Sequence, residues 1–210
     1  MKALIVSKTH MQNAACVGAL DLTNNQSIRL LTSDGSNQPV DTDFEVGEIW
    51  DIDYTARRSL RNPHIEDVLV SKKVYLSDQD NLSEFFNTNN DIVIWRGGPD
   101  SLFDGMLQFT DRGSGYIAHN SGIPANSVGF WIPDKDLTRD DFKEKVRYQY
   151  ALSSFMGITF SKRTIPYVGF APPVEVIEKD TLVRVSLARW WKQDENTEER
   201  CYLQISGWYL

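Results

Sequence analysis

The sequence predicts a mainly β protein made of small closed sheets, and three observations carry that prediction. Stretches with period-two alternation recur along the chain, as in EIWDIDYTA and RCYLQISGWY. Turn-forming residues separate them, among them Thr23-Asn24-Asn25-Gln26 and Arg96-Gly97-Gly98-Pro99. The composition is 41% hydrophobic over 210 residues, enough for a core. No apolar run approaches the roughly 20 residues of a spanning helix.

The elements follow in order. KALIVS (2–7) reads as an opening strand, and its four consecutive apolar residues are too few for the core of a signal peptide. Strands at 16–22 and 27–32 flank Asn24-Asn25, and because asparagine tolerates positive φ they form a hairpin. SDGSNQPVDTD is a polar loop. EIWDIDYTA (48–56) sets Trp50, Ile52 and Tyr54 on one face, with Asp51 and Asp53 on the other. EDVLVSKKVYL (66–76) is a long strand, and five strands by residue 77 suffice for one Greek-key barrel. DNLSEFF (80–86) reads as a short helix, DIVIW (91–95) and SVGFWIP (127–133) as strands, and the stretch between them as glycine-rich with short strands such as GYIAH. Thr138 with Asp141 forms a capping-box pattern ahead of Phe142, Val146, Tyr150 and Leu152, which predicts a helix over 139–152. SKRTIPYVGFAPPVEVIE mixes short strands with prolines at edges and bends. DTLVRVSLARWW and RCYLQISGWY close the chain as two long strands. The predicted organisation is a first barrel at 1–78, a helical linker at 79–89 and a second barrel at 90–210 with a helical insertion. Cys16-Val17-Gly18 ahead of Arg29, and Tyr167-Val168-Gly169 ahead of Arg184, form a faint internal echo that favours two related units.

Charge and motifs limit the function classes. A net charge of −7 argues against avid, general binding of duplex DNA, which needs surplus cations to displace counterions. A short single strand, a modified base or a nucleotide needs only local arginines and stacking rings. Two cysteines and three histidines show no metal-ligand spacing, so no metal or other cofactor is expected. A cytoplasmic location with no membrane contact follows from the same features. Phosphate-loop, nucleophile-elbow and zinc-deaminase patterns are all missing. Catalysis is therefore not expected; a metal-dependent nuclease with acids around Glu66 and Asp67 is the less favoured alternative.

Candidate binding residues fall in two groups. Arg29 sits on an otherwise apolar strand, and Arg57, Arg58 and Arg61 precede His64 in a loop. Basic loop residues can contact a ligand or simply be solvated, and Arg29 can equally pair an acid such as Asp21 or Asp53. In the closing strands, alternation puts Arg184, Ser186 and Trp190 on one face, with Tyr202, Gln204, Ser206 and Trp208 on the corresponding face of the partner. Arginine beside exposed rings is the equipment for stacking on bases and contacting phosphates. The same rings can instead plug the end of a barrel. Trp191 falls on the core side if the strand runs that far.

KTHMQNAACVGALDL…IRLLT, NPHIEDV and above all LARWWKQDENTEERCYLQISGWY resemble the dual-OB domain, DuOB, a bacterial module of anti-phage and conflict loci. The resemblance spans nearly the whole chain and takes in Arg29, His64, Arg184, Arg189 and Trp190. It implies two OB barrels and recognition of nucleic acid or nucleotides, and it brings no catalytic residues. The expected function is thus non-enzymatic sensing of single-stranded nucleic acid or a nucleotide in a bacterial or phage defence setting. The alternative is an adaptor that docks a protein partner effector, which suits the acidic charge.

Overall fold

Strand accounts for 51% and helix for 8% of the described structure, and the residues that build the sheets divide into two units. One holds residues 1–93 with 209–210, the other residues 94–208. The computed structural model describes residues 1–155 and 158–210, and side chains in 1–153 and 161–210.

The first unit contains β1 (Lys2–Met11), β2 (Ala14–Asp21), β3 (Gln26–Leu31), the short β4 (Gln38–Pro39), β5 (Glu48–Ala56) and β6 (Asp67–Asp78). β1 pairs antiparallel with β2 and β5, β5 with β6, and β2 with β3; β3 and β6 run parallel. The five strands therefore close in the cyclic order β1-β2-β3-β6-β5, a Greek-key barrel of the OB type. Ala3 to Thr9 are buried on both faces of β1, which explains why its sequence is an apolar run and not an alternation. Between Ile5 and Ser7 the register with β2 shifts, so Val6 is an extra, bulged residue. The β2–β3 turn forms as expected: Asn25 has φ +57, and its N–H donates to the Asp21 carbonyl at 2.8 Å. α1 (Leu82–Thr88) is capped by Asn81, whose Oδ1 accepts from Glu84 N at 2.9 Å, and it buries Leu82 and Phe86.

The second unit contains β7 (Ile94–Arg96), β8 (Gln108–Phe109), β9 (Gly115–Ala118), β10 (Val128–Ile132), β11 (Leu137–Arg139), β12 (Arg147–Phe155), β13 (Ile158–Pro166), β14 (Val176–Ile177), β15 (Leu182–Leu187) and all but the last residue of β16 (Arg200–Tyr209). A curled half-barrel sheet runs β7-β10-β15-β16-β9-β8, and a second sheet runs β13-β12-β11-β14. Their inner faces share one core around Trp131, Tyr148, Val183, Val185, Leu203 and Ile205.

The helix expected over 139–152 does not exist. β11 ends at Arg139, and Phe142 and Lys145 exchange backbone hydrogen bonds of 3.0 Å across Lys143 and Glu144, both at positive φ. This is a tight turn of the hairpin type. β12 then pairs back on β11, Leu137 opposite Tyr150 and Arg139 opposite Tyr148. The competing pattern is visible in the residues: Val146, Tyr148, Tyr150 and Leu152 also repeat at period two, and aromatic residues suit a pleated surface. Asp141 does not cap a helix; both its oxygens accept from Arg139, at 2.9 and 2.6 Å. The strand form also seats both tyrosines. Tyr148 donates to the Val174 carbonyl at 2.8 Å and Tyr150 to Asp134 Oδ1 at 2.7 Å. Burial and then the Asp134 hydrogen bond raise the Tyr150 phenol well above its ordinary range.

Candidate functional site

Two of the four candidate arginines of the first barrel are held by one buried acid. Parallel pairing puts Arg29 on β3 beside Asp67 on β6. Arg29 Nε and Nη2 donate to Asp67 Oδ1 and Oδ2 at 2.6 and 2.8 Å, and Arg57 Nη1 adds a bond to Oδ2 at 3.1 Å. Burial would lower the Arg29 pKa, but the Asp67 bonds and charge together with nearby Cys16 outweigh it and hold the guanidinium above its usual value. Arg29 thus pairs an acid, and the acid is Asp67 rather than Asp21 or Asp53. His64 is buried, in a one-turn loop closed by its N–H on the Arg61 carbonyl at 3.0 Å. Arg58 and Arg61 remain exposed in that loop. Among the described residues no three His, Cys, Asp or Glu side chains gather as a metal site.

The closing strands and the segment between them differ from simple alternation at four residues. Arg184 is only 1% exposed and lies over the Phe130 ring at 4.9 Å, so it is not part of an open platform. β15 is a central strand with buried residues on both faces, which alternation alone does not reveal. Trp208 acts as packing, edge-on to Tyr148 at 6.0 Å and tilted against Tyr167 at 5.1 Å. The adjacent tryptophans exchange their expected roles. β15 stops at Leu187, so the period-two rule no longer applies; Trp190 is partly buried against the core, and Trp191 is 53% exposed.

What assembles instead is a ledge of rings across β9, the start of β16 and the segment after β15, in which Trp191 is exposed, Tyr202 half-buried and Tyr116 buried. Trp191 and Arg200 exchange backbone hydrogen bonds of 3.0 and 2.8 Å, which fixes Trp191 opposite β16. Tyr202 faces Tyr116 across the β16–β9 pair. Trp191, Tyr202 and Tyr116 follow one another with centroid spacings of 6.2 and 6.0 Å. The Arg200 guanidinium lies over the Tyr116 ring at 4.0 Å, and its Nε and Nη2 donate to Glu198 Oε1 at 3.1 and 2.8 Å. Beside this row His119 stacks flat on Trp190, 4.2 Å apart and 6° from parallel, with its Nε2 3.8 Å from Glu199 Oε2. The intervening loop is braced by Thr197, whose hydroxyl accepts from the N–H groups of Gln193 and Asp194 at 3.1 Å each.

Of the residues singled out in the sequence, the ledge unites Trp190 and Tyr202. Arg189 is half-buried in the same segment. Sequence reasoning missed Trp191, Tyr116, His119 and Arg200 as site residues. The polar run Lys192-Gln193-Asp194-Glu195-Asn196 was the signal for Trp191, because a hairpin loop starting there places Trp191 at a strand end.

A family model described as the dual OB-containing domain, DuOB, matches residues 1–208. The chain belongs to the DuOB family. No curated protein and no solved structure matches this DuOB chain. The closed first barrel and the curled second sheet are the two OB-like barrels that the name describes.

Proposed function

We propose that this DuOB chain is a non-enzymatic cytoplasmic module that binds single-stranded nucleic acid or a nucleotide in a bacterial or phage defence system. One observation carries the reading: Trp191 holds an exposed ring at the head of the Trp191–Tyr202–Tyr116 row, with Arg200 beside it. Base stacking on such rings contributes about 1–3 kcal/mol per base and tolerates any sequence. The defence setting rests on the family resemblance alone. The test is binding of labelled oligonucleotides and nucleotides to wild type and Trp191→Ala. Trp191→Ala is expected to weaken binding by roughly tenfold while changing folding stability by no more than about 0.5 kcal/mol. Equal binding by the two proteins refutes the assignment of the ledge. No binding of any nucleotide or strand at low salt refutes the function.

β6 favours a second reading, an adaptor that docks a protein partner. Beyond Leu69 this strand pairs only with β5 among the described residues, leaving one edge open. Val74, Tyr75 and Leu76 on it are 50%, 46% and 44% exposed. An open strand edge with apolar side chains suits strand addition.

A further inference from the structure

The hairpin that stands in place of the expected 139–152 helix has one face whose charge runs against that of the chain. Across its turn Phe142 pairs with Lys145 and Asp140 with Arg147, so these four side chains lie on one side. The other side turns Val146 and Tyr148 to the core, which leaves this one facing outward. Lys162 of β13 reaches it too, its Nζ 3.4 Å from Asp140 Oδ2. Three cations, Lys145, Arg147 and Lys162, thus face a single carboxylate, Asp140, which Arg147 holds at 2.7 Å. Asp141 is on the core side of the hairpin and is held by Arg139 at 2.6 Å. No carboxylate among the described residues lies within 4.0 Å of Lys143 or Lys145. Phe142 is 51% exposed, with the Arg147 guanidinium 4.8 Å and Lys143 Nζ 5.4 Å from its ring centroid. Open cations beside an open ring, in a chain of net charge −7, match the two parts of an unpaired nucleotide, its phosphate and its base. An acidic peptide would engage the lysines and leave the ring unused.

We propose that the outward face of the β11–β12 hairpin is a second contact for single-stranded nucleic acid, with Lys143 and Lys145 on phosphates and Phe142 against a base. The proposal rests on the nucleic-acid reading and chooses the strand over the lone nucleotide. A strand offers one base to Trp191 and another to Phe142, two rings on separate elements.

The experiment is a fluorescence-anisotropy titration of the full chain with labelled thymidine monophosphate and an oligodeoxythymidine of about 12 nucleotides, at about 50 to about 300 mM salt. The oligonucleotide is expected to bind at least roughly tenfold more tightly than the mononucleotide. The double variant Lys143→Gln with Lys145→Gln should flatten the slope of log affinity against log salt by about 1.4, two contacts at about 0.7 each. Phe142→Ala should weaken binding roughly tenfold with the slope unchanged. Both variants should keep the wild-type circular dichroism spectrum and melting temperature, since the altered side chains are exposed. Wild-type affinity and slope in the double variant overturn this proposal; continued weakening by Trp191→Ala then leaves the nucleic-acid reading standing. Equal binding of mononucleotide and oligonucleotide overturns it as well. Displacement of the oligonucleotide by polyglutamate of matched charge, with no effect of Phe142→Ala, assigns the face to an acidic protein partner instead. If no strand binds the wild type at low salt, the proposal and the functional reading fall together.

Discussion

Asp67 carries the heaviest single-residue burden in the first barrel. Its carboxylate is almost fully buried and accepts from Arg29 and Arg57, so removing it strands the Arg29 guanidinium in a site with little water. Asp67→Ala should cost about 3 kcal/mol in urea unfolding, whereas the paired change Arg29→Met with Asp67→Leu should recover most of it. Both residues are apparent in the sequence as charges on apolar strands; their pairing is not, because it depends on β3 and β6 lying side by side in parallel. The tryptophans make the same point. Trp190 and Trp191 are neighbours in sequence, yet one packs against the core and the other is exposed. Alternation predicts the opposite assignment, and it fails because the strand ends three residues before Trp190.

Among the elements, the turn between β8 and β9 depends most narrowly on one residue. Gly113 has φ +82, and a Cβ there would lie 2.3 Å from the Lys162 carbonyl oxygen, a backbone atom that cannot swing aside. The Gly113 carbonyl in turn accepts from Thr164 N at 2.9 Å, tying the turn to β13. Gly113→Ala is therefore expected to destabilise the second unit by roughly 2 kcal/mol in chemical denaturation. β12 shows where element type is underdetermined locally. Val146, Tyr150 and Leu152 fit a helical stripe and a strand face, and the choice falls to what Tyr148 and Tyr150 meet once β11 and β14 are in place. Where only one period fits, as in β5 with Trp50 and Ile52 inward, the element type is readable directly.

At the scale of the whole molecule, the chain's aromatic C-terminus is tied down. Tyr209 belongs with the first unit, and its hydroxyl donates to the Val6 carbonyl, which the β1 bulge leaves out of register. Tyr209→Phe should cost about 1–2 kcal/mol by leaving that buried carbonyl unsatisfied, measurable by urea unfolding. Alkaline stability follows from the buried phenols of the second unit. Burial first, and the neighbouring Tyr148, push Tyr167 up to about 12, while an unfolded tyrosine ionises near ~10. Between these values the unfolded chain binds fewer protons than the folded one, so stability is intact below about pH 10 and falls as pH rises toward about 12. Melting temperatures across that range should drop, and Tyr167→Phe should make the drop shallower. The sequence by itself determined the β class, the turn positions, the acidic balance and the family, because periodicity, turn chemistry and charge are local or additive. Tertiary structure decided which arginine is buried, which tryptophan is open and that residues 147–155 form a strand. Those outcomes depend on which strands become neighbours, and pairing partners far apart in the chain leave no mark in any short window of sequence.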